Sequence, residues 1–344
     1  MRFICRSNLR FVSAIATVLV ALSASNISMA GAEVKYTAIV PPASIEGVRV
    51  AEGGLVVDGT AGKSWRLTKL DGATGFQMLP DRQKAPLPEN SLPDGLVSTS
   101  TDGTLQGWLT GPTRRYDHGV LGDDIEASGF RIRRSDGNIA DYQLSDNYVF
   151  EDRQVRFHDL DGDGTTEILA IKSGFDGGGR IAAYSLDGNS IRAVAESAAI
   201  GRAHRWLNLI SVADFDGDGK NEIAAVITPH LGVVLRLFRL EGGRLLPVLE
   251  AHGFSNHGIG MRDMQLSAVA DVNGDGVPDL IVPDAARTTI RIVTFAGGTF
   301  RELYRFPLRA NITGNMALVS DENGHRIAFP MSIGRLGIIT IHKG

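Results

Sequence analysis

The sequence predicts an all-β chain closed into a single β-propeller of six four-stranded blades, with seven as the alternative if residues 76 to 127 hide an extra one. Three observations carry this: an acidic loop that returns at a fixed period, turn signals spaced as in repeated hairpins, and chain ends that supply complementary parts of one blade. Helical periodicity is absent outside the first thirty residues.

The loop is Asp159-Leu-Asp-Gly-Asp-Gly-Thr-Thr-Glu167. It recurs as Asp214-Phe-Asp-Gly-Asp-Gly-Lys-Asn-Glu222 and as Asp271-Val-Asn-Gly-Asp-Gly-Val-Pro-Asp279. Acids or amides occupy positions 1, 3, 5 and 9, with Gly164, Gly219 and Gly276 at position 6. Ca2+ takes about six to eight oxygens in flexible geometry, so closely spaced carboxylates on a tight turn suit it better than Mg2+, which keeps its waters. An EF-hand is excluded: position 12 is Ala170, Ala225 or Val282 in an apolar strand, where that motif needs a bidentate Glu.

The first acids lie 55 and 57 residues apart. A step of 50 residues forward reaches Asp321 and its decayed loop, and steps of 57 and then 50 back reach Asp102-Gly103 and Glu52-Gly53. Six units are thereby marked. Within a unit, one apolar stretch enters the loop (Leu209 to Ala213), a second leaves it (Glu222 to Ile227), and a third alternates (Val233 to Leu240). A Gly-bearing turn then leads to a fourth, Leu245 to Leu249. Such a series leaves exposed edges unless it closes. The last unit ends on its third strand, Leu336 to Ile341, and Val34 to Val40 supplies the missing fourth.

The chain of 344 residues opens with Arg2, Arg6 and Arg10, an apolar run from Phe11 to Leu22, and small residues up to Ala32. That pattern predicts a signal peptide over 1–30 and a propeller domain over 31–344, exported to the periplasm or secreted, with no transmembrane segment in the mature chain. The single cysteine, Cys5, leaves with the signal, so no disulfide is expected. Eleven of the 39 acids sit in the three loops, which makes the acidity a local demand for metal. No basic stripe interleaved with aromatics is present, and nucleic acid is not an expected partner.

The loop between an inner strand and a Leu/Ile-rich second strand resembles the FG-GAP or VCBS repeat, the blade of integrin α-subunit propellers and of many exported bacterial proteins. The resemblance is strongest over residues 151 to 305. It implies up to three structural Ca2+ ions, held by the acids at positions 1, 3, 5 and 9 and the carbonyl at position 7. The implied ligands are Asp159, Asp161, Asp163, Thr165 and Glu167; Asp214, Asp216, Asp218, Lys220 and Glu222; and Asp271, Asn273, Asp275, Val277 and Asp279. Unit six, with His325 at position 5, is expected not to bind.

Antiparallel topology puts the metal loops on one face and the links between units on the other. The second face is predicted to collect His118, Asp123, His204, Trp206, His230, His257, Arg262 and Arg335, the first two from a long loop over 111 to 128. Two of its fragments, Asp117-His-Gly-Val-Leu-Gly122 and Asn256-His-Gly-Ile-Gly260, look alike. The expected function is a monomeric binding or scaffold module for a protein or glycan ligand on this face. The alternative is a polysaccharide hydrolase or lyase using the His/Arg/acid cluster; no sequence motif assigns catalytic residues.

Overall fold

A computed structural model describes residues 22–29, 32–70, 73–81 and 85–343. The charged start and most of the apolar run of the expected signal peptide lie outside them. Among the described residues helix is limited to two short 3-10 turns, Thr60–Gly62 and Gly119–Leu121. No helix there is long and apolar enough to cross a membrane.

Strand pairing gives three separate four-stranded sheets, a five-stranded sheet across the chain ends, and a nine-stranded sheet in which two blades join through the Ala127–Phe150 pair; together they make six antiparallel blades. Blade one is Ile45–Ala51, Gly54–Gly59, Ser64–Leu70 and Ala73–Met78. Blade two is Ser98–Thr99, Leu105–Thr113, Glu126–Arg134 and Ile139–Gln143. In blade three the inner strand is split into Tyr148–Phe150 and Arg156–His158, followed by Glu167–Gly174, Arg180–Asp187 and Ser190–Glu196. Blade four is Leu207–Ala213, Glu222–Ile227, Val234–Glu241 and Arg244–His252. Blade five is Ala268–Ala270, Asp279–Pro283, Thr289–Thr294 and Arg301–Pro307. Residues 76 to 127 hold the end of blade one, a link and the start of blade two, so the seven-blade alternative falls.

Blade six is Ala317–Asp321, Gly324–Met331 and Arg335–Lys343, and its fourth strand is Ala32–Ile39 from the other end of the chain. The register runs from Ala32 opposite Lys343 to Ile39 opposite Leu336. Val34 and Tyr36 thereby enter the core beside Ile339 and Ile341. Leu22–Met29 pairs outside this strand as a fifth. The sequence reading placed no strand there.

Alternating side chains on each strand bury one row against each neighbouring blade. The apolar clusters lie between blades two and three, three and four, four and five, five and six, and six and one. The last spans the chain ends, where Ile39 and Leu336 pack with Val48 and Leu55. Trp65 and Trp108 are both buried.

Candidate functional site

All six marker acids fall at the bend between the first and second strands of their blades. The three full loops share one internal geometry. The position-1 acid accepts the amides at positions 4 and 6: Gly162 and Gly164 at 2.7 and 2.9 Å on Asp159, Gly217 and Gly219 at 2.7 and 2.8 Å on Asp214, and Gly274 and Gly276 at 2.7 and 3.0 Å on Asp271. Position 6 lies at φ 84, 89 and 86°, a left-handed conformation that favours glycine. The position-9 acid reaches back to the amide at position 2, with Leu160, Phe215 and Val272 each donating at 2.9 Å. Burial holds the carboxyls of Glu167, Glu222 and Asp279 above the usual range, Asp279 at about 6.

These loops gather acid oxygens as a cation site does, and in the second an arginine, Arg239, stands among them. Oxygens of Asp159, Asp161 and Glu167 lie within 4.8 Å of one another, as do those of Asp214, Asp216 and Asp218. In the third loop Asp279 is fully buried and its Oδ1 completes no hydrogen bond. An orphaned buried carboxylate oxygen is costly unless a positive charge meets it. Blade six lacks the loop: Asp321 and Gly324 close a tight hairpin, and His325 instead bonds Ser320 Oγ at 2.7 Å and the Asp271 carbonyl at 3.0 Å.

A cavity of about 350 Å3 opens on this metal-loop face, lined by Asp102, His158, Asp159 and Asn221 among others. Burial, helped by the nearby Arg156 charge, lowers the His158 pKa to about 4 and keeps its imidazole neutral.

The opposite face is built by links and second-to-third-strand loops, and here the four histidines come together. His118 and His204 have ring centroids 5.3 Å apart, and Tyr116 lies 5.0 Å from His204. The Tyr116 hydroxyl accepts the His204 amide at 2.8 Å, and the His204 Nε2 is 3.2 Å from Asp117. His230 Nε2 meets His257 Nδ1 at 3.0 Å, while His257 Nε2 reaches the Met261 carbonyl at 2.9 Å. Trp206 packs on both, 4.7 Å from His257 and 6.4 Å from His230. Burial pushes the pKa of His230 down to about 4 and of His257 to about 3; Arg287 adds to both, His118 to the first and His230 to the second.

Trp206 and His257 are buried, so they support the surface instead of forming it. Asp123 and Arg262 are joined at 2.8 Å, and Arg262 also bonds Asp94 at 3.2 Å. Arg335 opens the third strand of blade six, apart from this cluster.

A break in the inner strand of blade three adds residues the sequence pattern does not single out. Between the pairs Phe150–Lys172 and Arg156–Leu169, the inner strand spends six steps against three on its partner. The extra length is a bulge, a device that re-aims side chains. It turns Glu151 and Asp152 into the interior, both fully buried. Glu151 accepts Ser173 Oγ at 2.6 Å, contacts His118 Nδ1, and its carbonyl receives Trp206 Nε1 at 2.9 Å. Asp152 pairs with Arg156 at 2.7 Å and accepts the Ile171 amide at 3.1 Å. Glu126, 1% exposed, lies one residue from the Ala127–Phe150 pair and so across from Glu151; its Oε1 has no hydrogen bond. Burial and the Glu151 charge hold its carboxyl far above the usual range. No spacing rule marks this pair, because it joins a strand start to a bulge.

The blades and loops define an all-β propeller with acidic loops on one face. Residues 159–225 match the FG-GAP-like repeat, a span that covers the first two acidic loops. Among solved structures the chain is similar to a functionally unknown protein from Desulfotomaculum acetoxidans, at 11% identity over 90% of this chain and 92% of that one, with TM-score 0.44. It is also similar to BBS1N in complex with ARL6DN, at 13% identity over 93% of this chain and 96% of that one, with TM-score 0.49. A comparison with curated proteins finds no match.

Proposed function

We propose that the chain is an exported binding module, stapled by Ca2+ on one face and carrying its ligand surface on the other. One observation supports this most: Phe175, Leu231, Ile259 and Ile333, all among the exposed large apolar residues, stand on the face opposite the metal loops. They come from the second-to-third-strand loops of blades three, four and six and from the link between blades four and five. Single exposed apolar residues are ordinary, but Phe175 against His204, Leu231 beside His230 and Ile259 two residues from His257 together have the composition of a recognition surface. Phe175 packs on Tyr116 and His204, at 5.1 and 5.7 Å, which joins the apolar rim to the polar centre. Exposed apolar tips favour a protein ligand over a glycan.

Photo-crosslinkers placed at Phe175 and Leu231 in the full chain, presented to the exported proteins of the source cell and in parallel to a glycan array, test this reading. A saturable partner lost on Phe175→Asp and Leu231→Asp, but kept on Ile139→Asp at a three-to-four turn of the metal face, supports it. Binding that survives both face substitutions contradicts it.

A second reading rests on His118. Its Nδ1 is held by buried Glu151, which leaves Nε2 as a base oriented by a carboxylate. Turnover of a polysaccharide that disappears in His118→Gln would favour this enzyme reading.

A further inference from the structure

The three acidic loops are alike within themselves and differ in what stands across from the ninth position. On the third strand of each blade, one residue lies opposite that acid. In blade four it is Arg239, paired in register with Glu222. In blade three the pair Ile168–Tyr184 puts Ser185 opposite Glu167, and in blade five Leu280–Val293 puts Thr294 opposite Asp279. Two neutral hydroxyls and one guanidinium occupy equivalent places.

The guanidinium is engaged with the loop. Arg239 Nε donates to Glu222 Oε1 at 2.8 Å, Nη2 to Asp216 Oδ2 at 2.9 Å, and Nη1 lies 3.0 Å from Asp218. Its side chain is only 12% exposed. Since the Phe215 amide already satisfies Glu222 Oε2, both oxygens of this acid have partners. The oxygens that cluster in loop two are accordingly those of Asp214, Asp216 and Asp218, without Glu222, whereas Glu167 joins the cluster in loop one. Loop three stands at the other extreme, with Asp279 Oδ1 buried and unbonded. A fixed positive charge within hydrogen-bond reach of three carboxylates both removes ligand oxygens and repels a divalent ion.

We propose that Arg239 is the resident counter-ion of loop 214–222, so that the chain takes divalent cations at 159–167 and 271–279 and closes the remaining loop with its own guanidinium. This rests on the reading of the loops as Ca2+ sites. It makes one blade independent of calcium supply, while its two neighbours depend on it.

Calcium titration of the metal-stripped full chain by calorimetry, with terbium luminescence as a second readout, tests the proposal. Wild type is expected to show two tight sites. Arg239→Ser, which gives blade four the residue of blade three, is expected to gain a third site and to melt lower than wild type without Ca2+. Ser185→Arg, in a blade whose fold is otherwise untouched, is expected to lose one. Three equivalent sites in wild type would overturn the proposal and leave the calcium reading standing. An unchanged stoichiometry in both variants overturns it likewise, and no binding in any of the proteins overturns both.

Discussion

The Gly260 amide donates to the Val120 carbonyl at 2.9 Å, joining blade two's long loop to the link between blades four and five. The bond thus ties together segments of blades that are not neighbours in the chain order. It joins the two fragments that look alike in the sequence, Asp117 to Gly122 and Asn256 to Gly260. Around it Arg262 holds Asp123 and Asp94, and Val120, Leu121 and Met264 pack with Trp206. The face opposite the metal loops is thus capped by its own chain, and the histidines line the cap.

Arg262→Ala should loosen this cap without unfolding the ring. The side chain is about half exposed, and exposed ion pairs contribute roughly 0–1 kcal/mol. Hydrogen exchange is expected to rise at residues 119–122 while the blade strands keep their protection. Unchanged exchange there would show that Arg262 is not part of the latch.

Glu126→Gln should stabilise the protein at neutral pH. The folded-state pKa of Glu126 is raised, so the stability associated with its protonated form is present in full below the unfolded value and is lost as pH rises above it. A neutral amide removes that loss. The gain should exceed about 1 kcal/mol at pH 7 and shrink towards pH 4. Denaturant melts at several pH values measure it, and a variant less stable than wild type at pH 7 would contradict the assignment.

His230 and His257 should make the fold acid-sensitive. Their folded pKa values, about 4 and about 3, lie below the ordinary histidine value of about 6.5. Their contribution is intact above 6.5 and is lost as pH falls towards 4, because the unfolded chain takes up protons that the folded chain refuses. Each histidine adds up to about 1.4 kcal/mol per pH unit in that window. His257→Asn should flatten this slope, and an unaltered slope would remove His257 from the account.

Val34→Asp should cost more than about 3 kcal/mol, since it buries an unpaired carboxylate in the strand that closes blade six. A surface substitution on the same strand, Lys35→Asp, should cost less than about 1 kcal/mol. Thermal melts of the two compare the closing strand's inner and outer faces.

The ring was legible from the sequence because each blade repeats one local pattern, and the acids at 52, 102, 159, 214, 271 and 321 all fall on the same bend. The complementary ends, Val34 to Val40 and Leu336 to Ile341, were legible for the same reason. The convergence of His118, His204, His230 and His257 followed from topology alone. What did not follow was the chemistry beneath them. Glu151 is turned inward by a bulge, and Glu126 faces it across a strand pair. Neither leaves a periodic trace, since the mismatch of six steps against three exists only once the strands are paired. Arg239 escaped for a related reason: on its own strand it reads as an ordinary outward residue, and its meaning comes from register with Glu222.

The measurement that bears most directly on the account is the melting temperature of the full chain after exhaustive chelation, followed by Ca2+ addition and elemental analysis. Loops that bind only when folded stabilise by mass action, about 2.7 kcal/mol per site at a hundredfold excess over Kd. The account predicts a marked fall in Tm on chelation, recovery with Ca2+, and bound calcium in the recovered protein. An unchanged Tm together with no bound calcium would contradict it.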